Sequence, residues 1–301
     1  MRSNDDNKRR EPELGLVCMT SSEACRFRTI TRTRYLQLQP RERHAALTEL
    51  YADNLARLHL ALDFCVANSI RLYRAPSSLF PMSDERIGEE VLRSMAAILR
   101  SVGRRAKKQA LRVVLHPDQF VVLNSDSDSV IATSINILEK HALAFDLMGL
   151  PKTSWTAFNI HGGKRSQSER LIDVIKNRLP RNVHNRLTIE NDEYSYGAAE
   201  VLDICRRTGV PMVFDCHHHV IREKLDSYDH PSIARYTHLS AGTWPDPAWQ
   251  LVHLSNGRAS FLDRSHSDLI THVPKANSEA PWIEVEAKGK ELAIERLRAS
   301  R

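Results

Sequence analysis

Residues 187–215, LTIENDEYSYGAAEVLDICRRTGVPMVFD, decide the fold. Leu187–Glu190 is a short apolar run that reads as a strand. Ala198–Thr208 reads as a helix stopped by Gly209, and Met212–Asp215 reads as the next strand. Working outward, the same alternation recurs. Leu14–Cys18, Ile70–Tyr73, Arg112–His116 and Ala157–His161 are strand-like before it, and Leu251–Leu254 and Trp282–Glu286 after it. Amphipathic text fills the gaps, as in Leu47–Asn68 and in Glu90–Lys108, whose basic last turn (RRAKK) suits a helix C-terminus. Apolar runs separated by helices predict a parallel sheet wrapped by helices. A chain of 301 residues is enough for an eight-stranded barrel, which needs about 250. An open doubly wound sheet would usually carry a glycine-rich phosphate loop after its first strand. Here that strand runs into MTSSEACRFRTITRTRY, with neither GxGxxG nor GxxxxGK[ST]. The expectation is a closed (β/α)8 TIM barrel that binds no nucleotide cofactor.

Hydrophobic residues make up 42% and charged residues 27%, which excludes global disorder. Lys and Arg exceed Asp and Glu by 43 − 37, a net +6 that suits a polyanionic partner. No window approaches the roughly 18 apolar residues of a membrane span. Met1–Pro12 is charged and lacks a signal peptide's apolar core, so it reads as a frayed tail. The rest, 13–301, has no linker or repeat and reads as one domain. Cys18, Cys25, Cys65, Cys205 and Cys216 form no CxxC pair, as expected of reduced thiols in a cytoplasmic protein. No dimerisation stripe stands out, so a monomer is expected.

Chemistry gathers at the strand ends. In such a barrel the loops after the strands ring one mouth, where functional groups collect. The third to eighth strands end in His116, His161, Glu190, Asp215, His253 and Glu286, with Glu284 two residues before the last. His218 follows Asp215 in the run Cys216-His217-His218-His219, and His266 sits after the seventh strand. A single histidine at a strand end is usually an ordinary hydrogen-bonded residue, and the histidine run alone could be a solvated loop. So many ionisable groups at one mouth would be costly to bury without a compensating cation. Imidazole nitrogens mixed with carboxylate oxygens suit zinc, manganese or iron, whereas Mg²⁺ and Ca²⁺ favour all-oxygen shells. Eight donors exceed the needs of one ion and predict a cluster of two or three.

Two further stretches point to a nucleic acid. After the first strand, Arg26, Arg28, Arg32 and Arg34 alternate with threonines, a pattern able to meet successive phosphates or merely to solvate an edge strand. In His116-Pro117-Asp118-Gln119-Phe120 an amide stands beside an aromatic ring just past a candidate ligand. Such a pair can stack on a base and bond its edge, although Phe120 as a core residue is the blander reading. Gly162-Gly163-Lys164 presents an ammonium group at the mouth, and Arg71, Arg74, Ser77 and Ser78 add polar groups after the second strand.

LGLVC, RLYRAPSSLFP, HPDQFVVLNS, HGGK, IENDE, FDCHHH, VHLSNG, DRSHSDLI and EVEAKGKE follow one another in this order. Together, over roughly 14–292, they resemble the UV damage endonuclease family of the UvsE/UVDE type, related in architecture to endonuclease IV. The resemblance implies an ATP-independent repair nuclease. It would nick double-stranded DNA immediately 5′ of cyclobutane pyrimidine dimers and 6-4 photoproducts, leaving 3′-hydroxyl and 5′-phosphate ends. It also implies a divalent metal cluster, Mn²⁺ being the usual assignment, with Zn²⁺ or Mg²⁺ as alternatives. The family's ligands fall on His116, His161, Glu190, Asp215, His218, His253, His266 and Glu286, and its lesion-probing pair on Gln119 and Phe120. Phosphate contacts are expected from Arg26, Arg28, Arg32, Arg34 and Lys164. The chain departs from relatives that have Tyr at Phe120, Tyr at Leu16 and Lys at Leu251, so a lysine-derived ligand is not offered. Two rival readings are a sugar isomerase-like or amidohydrolase-like barrel acting on small molecules, and a non-catalytic lesion-binding module. The first has no use for a basic loop, and the second has no need of eight ligands.

Overall fold

The structure, a computed structural model, describes residues 11–300. The tail expected over Met1–Pro12 therefore lies outside the described residues except for Glu11 and Pro12. Helices follow nearly every strand. The order is β1 (Glu13–Val17), α1 (Arg32–Gln37), α2 (Pro40–Ala67), β2 (Leu72–Ala75), α3 (Arg86–Ser94), α4 (Ala96–Lys108) and β3 (Arg112–Leu115). Next come α5 (Asp128–Leu147), β4 (Phe158–His161), α6 (Ser168–Asn177), α7 (Arg181–His184), β5 (Leu187–Glu190), α8 (Ala198–Thr208) and β6 (Met212–Asp215). The chain ends with α9 (Cys216–Glu223), α10 (Pro231–Ala241), β7 (Leu251–Leu254), β8 (Trp282–Val285) and α11 (Glu291–Ala299).

The strands pair in sequence order, all parallel, and β8 returns to β1, so the barrel is closed as expected. Strands β3, β5, β6 and β7 are buried along their whole length, so even Arg112, Glu190, Asp215 and His253 are shielded from water. Pairing is uneven: β4 and β5 share four register pairs, whereas β3 and β4 share one, Leu115 with Phe158. Helix α2 packs Leu47, Leu50, Leu55, Leu58 and Leu62 onto the barrel. Its buried Asn54 pins the preceding loop, accepting from Arg28 N at 2.8 Å and donating to Arg28 O at 2.9 Å.

Below the barrel, the buried Arg112 donates to the carbonyls of Trp155 (2.8 Å), Trp249 (2.9 Å) and Ser154 (3.3 Å). Its guanidinium lies 4.7, 5.6 and 5.2 Å from the rings of Trp155, Trp244 and Trp282. A cation enclosed by three rings and three carbonyls plugs the mouth opposite the strand C-termini.

Several expectations need adjustment. Ile70 and Arg71 precede β2, and the strand extends instead to Ala75. His116 and Glu286 lie one residue past β3 and β8, while His253 is the third of four residues in β7. The helix expected over 90–108 is two helices parted at Met95, whose ψ of 7° interrupts the turn. The Cys216–His219 run is the start of a helix with Asp215 as its N-cap, three of its four residues buried, so it is no solvated loop. The Arg26–Arg34 segment follows a 3₁₀ turn at Glu23–Cys25, runs through irregular backbone into α1, and so is no edge strand. All five cysteines are free, and Gly209 ends α8 at φ 75° as predicted. Among the described residues no helix is long and apolar enough to cross a membrane.

Candidate metal centre

Strand register assembles the site. Parallel pairing sets His161 beside Glu190, Asp215 beside His253, and His253 beside Glu284. Residues far apart in sequence therefore occupy one level of the barrel, at the C-terminal mouth. Three groups of donors result: His116, His161 and Glu190; Glu190, Asp215 and His218; Asp215, His253 and Glu286. Within each group the ligand atoms lie within 4.8 Å of one another. Glu190 and Asp215 each belong to two groups, so the three form a chain with a carboxylate at each junction. A carboxylate has two oxygens and can serve two ions at once, which such a chain requires.

Most of the histidines are fixed by one nitrogen and offer the other. His253 Nε2 lies 2.7 Å from Glu284 Oε2, leaving Nδ1 toward Glu190 Oε1 (2.9 Å) and Glu286 Oε1 (3.4 Å). His218 Nδ1 lies 2.7 Å from Glu193 Oε2, leaving Nε2 toward Glu190 Oε1 (3.6 Å) and Asp215 Oδ2 (4.0 Å). His116 Nδ1 lies 2.9 Å from the Pro117 carbonyl, leaving Nε2 toward Glu190 Oε2 at 3.4 Å. A carboxylate or carbonyl behind a ligating imidazole fixes its tautomer and raises its basicity. Carboxylates are held too: Asn159 Nδ2 donates to Glu190 Oε2 at 2.5 Å, and His218 N donates to Asp215 Oδ1 at 2.8 Å. Arg74 Nη1 lies 3.0 Å from Glu284 Oε2 and also pairs closely with Glu286.

The donor set fits divalent cations. Asp215 Oδ2 and His161 Nδ1 are buried without a hydrogen-bond partner, although an orphaned buried polar atom is costly. Burial alone would raise the Glu190 carboxyl, but His253 and His161 outweigh it and hold it well below the carboxylate range. Burial would likewise lower His218, yet Asp215 and Glu193 push it up to about 10. The carboxylates thus keep their charge and His218 keeps a proton that balances it, the balance a divalent cation would supply. His266 is the outlying donor: it belongs to none of the three groups, and its Nδ1 is 3.8 Å from Glu286 Oε2. Leu251 packs with Leu72, Val114, Val213 and Trp244 and supplies no donor.

A 940 Å³ cleft opens beside the centre, lined by His116, His161, His218, Phe120, Lys164 and Tyr194 among others. Phe120 is 73% exposed, so the core reading fails for it, and Gln119 beside it is exposed too. Ser77 Oγ donates to Asp118 Oδ1 at 2.6 Å, tying this loop to the one after β2. Lys164 pairs closely with Asp126. The arginine segment lies outside this cleft. Arg26 meets Glu23 at 3.8 Å, Arg28 meets Asp53 at 3.4 Å, and Arg32 meets Asp84 at 2.6 Å; Arg34 is exposed. Sequence reasoning missed Glu193, Asn159 and the pairing of Arg74 and Glu284 with the ligands. The two-residue alternation that sets Glu284 on the face of Glu286 was the one available signal.

Fold and site together define a (β/α)8-barrel protein whose mouth could hold several metal ions. Residues 12–300 match the model of the family described as UV-endonuclease UvdE. The chain is 53% identical over 294 residues to the UV DNA damage endonuclease of Nostoc sp., covering 97% of this chain and 91% of that one. It is 46% identical to the enzyme of the same name from Deinococcus radiodurans, covering 95% of each. The crystal structure of SacUVDE superposes with a TM-score of 0.79 at 26% identity, covering 96% of this chain and 98% of that one. The chain belongs to the UV-endonuclease UvdE family, and it is a nuclease acting on DNA.

Proposed function

We propose that the protein nicks double-stranded DNA immediately 5′ of UV photoproducts, cyclobutane pyrimidine dimers and 6-4 photoproducts alike. It would do so without ATP, as a cytoplasmic monomer whose one barrel domain (13–301) carries the whole activity. The observation behind this reading is the convergence of seven of the eight expected donors into overlapping groups beside a cleft edged by an exposed phenylalanine.

His116, His161, Glu190, Asp215, His218, His253 and Glu286, with His266 at the edge, would hold two or three divalent ions, Mn²⁺ first among them. When bound, the ions would supply Lewis acidity at the scissile phosphate and a lowered pKa for attacking water. The chain's own groups do the rest. Glu190 and Asp215 join neighbouring ligand sets, and Glu284 and Glu193 hold His253 and His218 in the offering orientation. Phe120 and Gln119 fill the gap left when a damaged dinucleotide leaves the stack. A photodimer stacks and pairs poorly, so extruding it costs less than extruding sound bases, and this difference supplies selectivity. Arg26, Arg28, Arg32 and Lys164 meet phosphates by exchanging surface carboxylate partners for the DNA backbone, and Arg34 joins them; such surface pairs are worth about 0–1 kcal/mol and yield readily. The products are 3′-hydroxyl and 5′-phosphate ends. A small-molecule barrel has no use for an aromatic ring standing in solvent at its mouth.

An end-labelled, UV-irradiated duplex incubated with protein and Mn²⁺, then quenched with EDTA, tests the reading. We expect lesion-dependent nicks that His116→Ala and Glu190→Ala abolish while circular dichroism stays native. Wild-type rates in both variants would refute the ligand assignment. Phe120→Ala should lower the cleavage ratio of damaged to intact DNA more than it lowers metal content. An unchanged ratio removes the wedge.

A further inference from the structure

The donor groups separate two clefts. His116, His161 and His218 line the larger one, discussed above. On the other side lies a 390 Å³ cleft lined by Arg74, Arg264, His266, Glu286, Lys288 and Lys290 among others. Arg74 lines both, and Glu286 belongs to the third donor group. A chain crossing the centre from the larger cleft therefore emerges in this smaller one.

Its charge is lopsided and its cations are set in place. Four cationic side chains line it against a single carboxylate, Glu286, which already pairs with Arg74. Among the described residues no carboxylate lies within 4.0 Å of Lys288 or Lys290, unlike Arg26, Arg28, Arg32 and Lys164. The loop that carries them is anchored: Lys288 N donates to Ser267 O at 3.0 Å and Gly289 N to Asp268 O at 2.8 Å. A Cβ at Gly289 would stand 2.5 Å from Asp268 O, so only glycine permits this approach. Arg264 is held across the mouth by Tyr194, donating to its hydroxyl at 2.7 Å with the guanidinium 4.4 Å over the ring. Lys288 acts on Asp263 only from beyond contact distance, and ammonium groups without a contact partner on a fixed loop are the arrangement that a backbone phosphate recognises.

We propose that this smaller cleft seats the backbone phosphates on the 5′ side of the cut, held chiefly by Lys288 and Lys290, while the lesion side of the same strand occupies the larger cleft. The assignment rests on the function proposed above, because a cut placed 5′ of the lesion fixes which flank faces away from Phe120.

Duplexes carrying one photodimer and one neutral methylphosphonate, stepped along the phosphates 5′ of the cut, provide the test with the Mn²⁺-loaded protein. In the wild type the methylphosphonate that removes the proper contact should lower kcat/KM about tenfold, mainly through KM. The double variant Lys288→Gln/Lys290→Gln should lower kcat/KM similarly on unmodified DNA and lose little more at that position. Its dependence on salt should flatten by about two units of log–log slope. Penalties that add at every upstream position, or that couple only to phosphates 3′ of the lesion, would overturn the assignment. A wild type that nicks no irradiated duplex would overturn the underlying function as well, and so the two failures are distinguishable. Lys290 sits at φ 52° and ψ −122°, so if melting shows the double variant misfolded, Lys288→Gln alone replaces it and should flatten the salt slope by about one unit.

Discussion

Glu284 stands one side chain away from the chemistry, behind the His253 imidazole, and that position decides its value. It touches His253 Nε2 and Arg74, and it appears in none of the three donor groups. Replacing it by glutamine leaves the shape and removes the charge that orients the imidazole. Metal affinity should fall about 10- to 100-fold by calorimetric titration, with the thermal transition little moved; unchanged affinity would make Glu284 a mere spacer. Six of the eight candidate donors were legible because each stands at or next to the end of an apolar strand run, whereas His218 and His266 stand on the segments that follow. Glu193 and Asn159 were not, because their partners lie 25 and 31 residues away and no periodicity links them. His141 on α5 yields a pH prediction away from the site. Burial pushes it down to about 4, against the weaker pull of Asp118 and Asp84. It folds neutral, so its contribution is complete above the ordinary value of 6.5 and drains away as pH falls from 6.5 to about 4. Urea melts should show that window in the wild type and a shallower loss in His141→Gln.

At the scale of elements, the strands were readable and their ends were not. An apolar run marks where a chain is buried, while the last paired residue depends on a neighbour the run does not contain. Thus His116 and Glu286 lie just past the ladder, free to turn inward. The helix at Cys216–Glu223 was hidden because its N-cap, Asp215, is also a ligand candidate, and one carboxylate serves both roles. The break at Met95 lets α3 pack on α2 and α5 while α4 reaches β3. Gly103 then brings α4 against the end of α5: a Cβ there would sit 1.8 Å from Met148 O. Gly103→Ala should cost about 1–3 kcal/mol in denaturant unfolding, since one of the two helices must shift. A neutral result would mean that the pair separates easily.

Across the whole molecule, the two mouths divide the labour. The C-terminal mouth gathers charge for chemistry, and the other is stoppered by Arg112 among its tryptophans. Burial draws the Arg112 guanidinium down to about 9, yet it keeps three carbonyls satisfied. Arg112→Met should destabilise the fold by about 3 kcal/mol by stranding those carbonyls. Bound metal and nicking per folded molecule should stay as they were, and a parallel loss of metal would show the two ends to be coupled. Arg112 read as an ordinary strand residue because its cage comes from residues 155, 244 and 282, which only closure brings together. That closure is thinnest where β3 meets β4 through the single pair of Leu115 and Phe158. A cask with one loose stave breathes there: deuterium should enter the amides of β4 facing β3 sooner than those of β5, directly beneath His116 and His161.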